Sequence, residues 1–409
     1  MKRIAALALA FTLLFQGCFS YRDMNRLLFF TTGVFDVVDN DLFFYAEFLK
    51  AYRGEGEKAG SERRIVSYGK GSTVAEAADQ VRRATNYPHE YAGGKAAIFT
   101  KAFAKNGVYS LFDFYQRDQK PSLRQYIFVL DGKPTEILDM SLEEEQFLGL
   151  YLYEMLNTTR HSIGIISTQA YQFLQNMNTG SKVNVVPLIK IRKYEEEQDK
   201  PKDDNVPDKE KSSEPQGGEQ QGKAQQGGQQ GETLQNNEHI ITDGAAVFVS
   251  DKMQATLNTT ETNVFNLLYE PVMGGLLESP NPEHPETMIG YSILKSKTKR
   301  RIELVDSRIK LNYTVNLRVV LLDSKMTLSS DREDVQEAIK QSLANRLRND
   351  SLALFDRMKA DGIDILNVKK DSDIRFGMEK IENPLEITDF DVRFNITLDG
   401  TGKVKNGLY

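Results

Sequence analysis

A single cysteine, Cys18, stands among 409 residues, and tryptophan is absent. One thiol excludes an intramolecular disulfide framework, a cysteine zinc site and a thiolate-held iron–sulfur cluster. Only four histidines are present, His89, His161, His239 and His284. They lie far apart and match no ligand spacing such as His-Glu-x-x-His, so no metal site and no cofactor is expected. A basic excess is missing as well: 52 Lys and Arg against 58 Asp and Glu give a net charge of −6. Acid and base are interspersed, which argues against nucleic acid as a partner, because phosphate recognition needs a basic face. There is no Gly-x-Ser-x-Gly elbow. The segment Gly69-Lys70-Gly71-Ser72-Thr73 fails as a phosphate loop, since Lys70 is followed by glycine and Arg64 stands where the leading glycine belongs. The triplet Glu143-Glu144-Glu145 reads as the acidic first turn of a helix, favoured by the helix dipole, and not as a catalytic pair. Nothing supports an enzyme; an extracytoplasmic hydrolase would need motifs that are missing.

What is present begins at the N-terminus. Met1-Lys2-Arg3 and the apolar run from Ile4 to Phe15 have the form of a secretory signal. The run is shorter than the ~20 apolar residues that cross a bilayer. It leads into Phe15-Gln16-Gly17-Cys18, a small residue followed by cysteine, in the order that lipoprotein processing requires. A cysteine thiol is alkylated with diacylglycerol, and the peptidase then cuts before that cysteine. Residues 1–17 are therefore expected to be a lipoprotein signal, with Cys18 as the lipid-attachment residue. Two acyl chains, at ~0.8 kcal/mol per buried methylene, anchor a protein stably. Everything after Cys18 then lies on the extracytoplasmic side of a membrane.

One internal segment stands apart. Residues 195–238 hold no aromatic and almost nothing apolar, with three prolines followed by a Gly/Gln run from Gln216 to Gly231. Such a composition cannot bury enough surface to offset chain entropy, so a disordered insertion is expected, flanked by the apolar runs at Val183–Val186 and His239–Ile241. The remainder divides into three expected domains: residues 18–140, residues 141–306 with the insertion inside them, and residues 307–409.

Periodicity supplies the elements. Leu27–Val37 and Leu42–Leu49, joined at Asp39-Asn40-Asp41, predict a β-hairpin. Thr73-x-x-Glu76 predicts a capped helix with Val74, Ala77, Ala78, Val81 and Ala84 on one face. Ala96–Phe99 and Tyr126–Leu130 predict buried strands, with a helix over Leu111–Tyr115 between them. Ser141-x-x-Glu144 predicts a cap for a helix running to about Leu156. Gln169–Met177 reads as a further helix, and Val183–Ile191 and Gly244–Val249 as strands. From Ile309 to Val319, and again from Phe390 to Leu398, apolar and polar residues alternate strictly, as in a sheet with one wet face. Between them a long helix is expected, capped at Ser330-x-x-Glu333, striped by Val335, Ile339, Leu343 and Leu347, and ended by Gly362. The fold class is α+β: three mixed α/β domains, with mostly antiparallel sheets covered by helices.

A family resemblance joins these pieces. Cys18-Phe19-Ser20-Tyr21-Arg22-Asp23-Met24-Asn25 resembles the mature start of the Ger(x)C spore germination lipoproteins, with Phe19 where that family has tryptophan and Ser20 where it has aspartate. Gly71-Ser72-Thr73-Val74-Ala75-Glu76-Ala77-Ala78 is similar to the start of the family's first-domain helix. Phe114-Tyr115-Gln116-Arg117-Asp118, then Arg124, Tyr126–Leu130 and Glu136-Ile137-Leu138, resembles its arginine–aspartate segment and the following strand. Asp243–Phe248, Asp251-Lys252, Leu257 and Glu261-Thr262 match the opening of its second half. The long helix from Asp331 to Asp361 and the closing strand match its end. The resemblance implies a C subunit of a nutrient germinant receptor, held by acylated Cys18 on the outer face of the inner spore membrane. It also implies membrane-embedded receptor subunits as partners, three mixed α/β domains and no catalytic role. An alternative is a lipoprotein that itself binds a small nutrient ligand, for which an apolar pocket with a few convergent polar groups is expected.

Overall fold

The computed structural model describes residues 26–51, 63–140, 142, 145–159, 161–193, 238–324, 332–377 and 380–399. The signal at 1–17, Cys18, and all of the expected insertion except Glu238 lie outside them.

The chain opens on the predicted hairpin, β1 (Leu28–Val38) and β2 (Asp41–Lys50). Asp39 and Asn40 both adopt positive φ, 52° and 67°, which matches the right-handed twist of the flanking strands. β3 (Arg64–Gly71) adds to β2, and α1 (Val74–Arg83) follows. The Thr73 hydroxyl accepts from the Glu76 backbone N–H at 3.1 Å, as the cap pattern requires. The Glu76 carboxylate does not return to Thr73; it accepts from the Ser72 backbone N–H at 2.9 Å.

Next come β4 (His89–Glu90), β5 (Ala96–Thr100), α2 (Lys101–Asn106), α3 (Tyr109–Asp118), β6 (Tyr126–Leu130), α4 (Pro134–Asp139), α5 (Leu148–Thr159), α6 (Ala170–Asn178), β7 (Val183–Lys193), β8 (Glu238–Val249) and β9 (Lys252–Leu257). One sheet joins all of these strands in the order β3-β2-β1-β5-β6-β7-β8-β9, with β4 beside β1. Its two flanks are antiparallel, but its centre, β1-β5-β6-β7, is parallel. The helical crossovers cover both faces. α1, α2, α3 and α6 pack on one face around Phe35, Phe99, Phe112 and Phe173. α4 and α5 pack on the other around Val34, Ile98, Phe128 and Leu152. Every residue of β5 and β6 is buried, as a strand between two helical layers demands.

α5 begins at Leu148, later than the Ser141 cap suggested; Ser141 and Glu144 lie outside the described residues. Its first N–H groups are satisfied from elsewhere. The Glu47 carboxylate of β2, with no exposed surface, accepts from Leu148 N–H at 3.0 Å and Gly149 N–H at 3.1 Å. It also accepts from the Thr31 hydroxyl and from Arg64 Nε.

The second sheet has the order β10 (Leu276–Pro280), β11 (Met288–Val305), β12 (Arg308–Ser324), β13 (Thr388–Leu398). β12 alternates as its sequence predicts, and Ile309, Leu311, Tyr313, Val315, Leu317 and Val319 are all buried. β12 and β13 are neighbours and run parallel, connected through α8 (Glu333–Ala360). α8 buries the expected Val335, Ile339, Leu343 and Leu347, then Leu354, Phe355 and Met358. Gly362, at φ 71°, closes it: Gly362 N–H bonds Lys359 O and Ile363 N–H bonds Met358 O, with Ile363 and Met358 both buried. That is a Schellman closure with its apolar contact.

The sheets divide the chain differently from the expected three domains. The 140/141 boundary falls inside the first sheet, because β7 pairs with β6 across it. The 306/307 boundary falls in the two-residue turn Asp306-Ser307 of the β11–β12 hairpin. The break in hydrogen-bonded pairing comes after Leu257, where α7 (Thr259–Tyr269) begins. α7 lies between the sheets and joins Val185, Val247 and Leu257 of the first to Ile309 and Leu311 of the second in one core. Two polar clasps reinforce the junction. Asp364 caps α9 (Val368–Phe376) through Val368 N–H and Lys369 N–H, each at 2.8 Å, and accepts from the Ser181 hydroxyl. Arg357 of α8 donates at 2.8 Å to Glu261, whose carboxylate also accepts from the backbone N–H of Asn258, the N-cap of α7.

Candidate functional site

Among the described residues, one concavity with an apolar lining lies on the first sheet, between α1 and α3. Its floor is aromatic. Phe35 and Phe44 stack with centroids 4.8 Å apart, and Phe30 lies 5.2 Å from Tyr91. These rings converge because residue 33 is glycine: a Cβ there would meet ring carbons of Phe44 at 2.6 Å, Phe30 at 3.1 Å and Phe35 at 3.2 Å. Val74 and Ala78 of α1 form one wall, and Phe114 and Tyr115 of α3 the other. The cavity measures about 170 Å³.

The mouth is charged. Asp79 and Arg82 stand one turn apart on α1, and Arg82 donates to Asp79. That hydrogen bond, with Arg83 nearby, holds the Asp79 carboxyl below the usual carboxylate range. Across the opening, Asp118 at the end of α3 pairs with Lys120 at 3.1 Å. Tyr91 sits between floor and mouth. Burial, aided by the Asp118 charge, pushes its hydroxyl up to about 12, so it is neutral and can donate or accept a hydrogen bond. Its oxygen lies 3.0 Å from His89 Nδ1, and His89 Nε2 contacts the Thr85 hydroxyl.

His89 is thus part of a packed polar chain, with its ring 4.3 Å from Phe48. Burial, and secondarily the Arg82 charge, lowers its pKa from the ordinary 6.5. A histidine with a depressed folded pKa binds fewer protons folded than unfolded, so stability is complete above pH ~6.5 and is lost as pH falls toward the folded pKa. We expect urea midpoints of the protein to fall with acidification below pH ~6.5, and His89→Gln to flatten that limb. An unchanged slope in the variant assigns the acid sensitivity to other groups.

The remaining sequence-derived candidates do not gather. His284 lies 3.6 Å from Glu286 in a turn, and His239 is in β8 opposite Arg192. Among the described residues no three His, Cys, Asp or Glu side chains come together as a metal site. Glu145 accepts from Phe147 N–H, while Glu143 and Glu144 lie outside the described residues. The Gly69–Thr73 segment is the end of β3 and the cap of α1. Its glycines serve helix packing, since a Cβ on Gly69 would lie 2.0 Å from Ala77 O. Among the described residues no helix is long and apolar enough to cross a membrane.

Sequence reasoning did not find Phe30, Phe44, Tyr91 or Arg82, which come from β1, β2, the stretch after β4 and α1. It did quote the two stretches that supply the walls. Val74, Ala75 and Ala78 belong to the Gly71–Ala78 segment, and Phe114, Tyr115 and Asp118 to the Phe114–Asp118 segment.

Comparison with known proteins bears on what carries this pocket. Residues 20–191 match the family model for the spore germination protein N-terminal domain. Residues 243–402 match the model for the spore germination B3/GerAC-like C-terminal region. A putative spore germination protein of Bacillus subtilis (strain 168), YfkR, is 20% identical over 370 residues, covering 86% of this chain and 83% of its own. The crystal structure of the GerBC protein aligns with 89% of this chain and 96% of its own, at 12% identity and a TM-score of 0.46. With the N-terminal and C-terminal models matched in tandem from residue 20 to residue 402, the chain belongs to the GerAC-like family of spore germination proteins.

Proposed function

We propose that this chain is the lipid-anchored, non-catalytic subunit of a nutrient germinant receptor. Acylated Cys18 holds it at the extracytoplasmic face of a membrane, the inner membrane of the spore, and its folded surface contacts membrane-embedded partner subunits. The observation that carries the reading is the tandem family match, which begins at residue 20, two residues beyond Cys18. The described strands begin at Leu28, so only a short link separates the thiol from the first sheet. That keeps the protein close to the bilayer, where a coupling subunit acts by binding one receptor state better than another.

The test is genetic and chemical together. Spores lacking the protein should respond slowly to the cognate nutrient and normally to a non-nutrient trigger, with loss of optical density as the readout. Complementation by Cys18→Ala should leave the protein in the soluble fraction after a detergent-free wash and should not restore the nutrient response. Mass spectrometry of the N-terminal peptide should show a diacylglyceryl thioether. A bare thiol, or a Cys18→Ala protein that stays with the membrane and supports germination, overturns the anchor. A second reading, in which the chain itself captures a small nutrient, is supported by the aromatic pocket, whose apolar floor and charged mouth are what such a site requires.

A further inference from the structure

We propose that the pocket between α1 and α3 is a binding site for a small zwitterion carrying a compact apolar body of about one ring, its ammonium toward Asp118 and its carboxylate toward Arg82. The inference rests on the second reading above and specifies the ligand's chemistry.

Size is the first argument. A cavity of about 170 Å³ is close to the ~150 Å³ that accommodates benzene in an engineered apolar core, and well under the ~300 Å³ and above typical of drug-sized sites. It takes one ring or a branched aliphatic group. The lining is the second argument. Phe30, Phe35, Phe44 and Phe114 present ring faces and edges, which suit an apolar body and offer no hydrogen bond to a polar one. Charged groups are confined to the mouth.

Charge arrangement is the third argument. The mouth holds two carboxylates and two cations, Asp79 and Arg82 on one side, Asp118 and Lys120 on the other. Its net charge is zero, so a simple anion or cation meets a repulsive group for each attractive one. A dipolar head with ammonium and carboxylate on one carbon offers each side a group of opposite sign. Arg82 is largely exposed, at 69%, and among the described residues it bonds Asp79, which leaves donors of its five N–H groups for a ligand carboxylate. The Tyr91 hydroxyl, inside the mouth, adds a neutral hydrogen-bonding group. The pocket also lies between two of the segments that carry the family resemblance, and α1 presents Ala75 and Ala78 to it.

The experiment uses the acylated protein purified in detergent, titrated calorimetrically with three probes that share one ring: L-phenylalanine, 3-phenylpropionate and phenethylamine. The expected result is saturable heat with L-phenylalanine at millimolar or lower concentration, and at least roughly fivefold weaker binding of the two singly charged probes. Arg82→Gln and Asp118→Asn, both at the exposed mouth, should each weaken L-phenylalanine roughly fivefold without moving the thermal midpoint. Ala78→Trp should fill the cavity and abolish the heat. Where Ala78→Trp lowers the thermal midpoint, Ala75→Trp on the exposed flank of the same wall takes its place. Equal binding of all three probes leaves the pocket reading standing and overturns the zwitterion. No saturable heat from any probe, or binding that survives both tryptophan variants, overturns the pocket reading as well.

Discussion

Replacing Glu47 with alanine should destabilise the protein by about 3–5 kcal/mol, enough to threaten folding of a domain of ordinary stability. The side chain is completely buried and takes four hydrogen bonds, from Thr31, Arg64, Leu148 and Gly149. Its removal leaves the first N–H groups of α5 without an acceptor in an interior that water does not reach, and it strands the Arg64 guanidinium, whose side chain is only 16% exposed. Glu47→Gln should cost nearly as much. It keeps one carbonyl oxygen, but it turns an NH2 group toward donors. Double-mutant analysis checks the account: with Arg64→Leu already in place, the penalty for Glu47→Leu should shrink, because no buried cation is left behind. Urea midpoints of the four variants are the measurement. A Glu47→Ala unfolding free energy within about 0.5 kcal/mol of wild type would refute this role for Glu47. Gly149 belongs to the same arrangement. A Cβ there would lie 2.4 Å from Thr31 O, so the helix can approach β1 and reach Glu47 only through glycine.

Gly69→Val is the second large effect, about 3 kcal/mol of stability. At the end of β3 a Cβ would lie 2.0 Å from the Ala77 carbonyl oxygen and 2.9 Å from Gln80 Cβ. Backbone, unlike the tip of a flexible side chain, cannot swing aside, so α1 must move off the sheet. That helix carries Val74, Ala78, Asp79 and Arg82, so the displacement also opens the aromatic pocket. Thermal midpoint and L-phenylalanine binding should therefore fall together in Gly69→Val. Val66→Ala, on the exposed side of the same strand, should change neither.

These two sites show how far the sequence could be read. Several signals carried within one segment are read directly: Asp39-Asn40 turns the hairpin, Thr73 caps α1, and β12 alternates without a break, while the cap expected for α8 at Ser330 lies outside the described residues and Arg332 stands at its N-cap. Gly362 terminates α8 for the same reason, because the positive φ, the cap and the apolar contact all lie within six residues. The start of α5 was not legible, because its acceptor is Glu47, about 100 residues earlier in the chain. Strand pairing is long-range in the same way: pairing of β6 with β7 and of β11 with β12 passes across the expected boundaries at 140/141 and 306/307. The parallel centre of the first sheet could have been suspected from the uniformly apolar Ala96–Phe99 and Tyr126–Leu130, which lack the alternation of a sheet with a wet face. As for the pocket, each wall was quoted as a motif, while the floor depends on three aromatic residues meeting over Gly33, a relation fixed only by the β1–β2 register.

The β7–β8 ladder has one further consequence. Lys193 pairs directly with Glu238, and their side chains meet at 2.7 Å, so the chain leaves the first sheet and re-enters it at neighbouring points. The closure is made by the ladder whatever lies between. Each doubling of the intervening stretch adds only ~0.6 kcal/mol of entropic cost. Related chains are thus free to lengthen, trim or exchange that stretch over evolutionary time, with selection for folding nearly blind to the change.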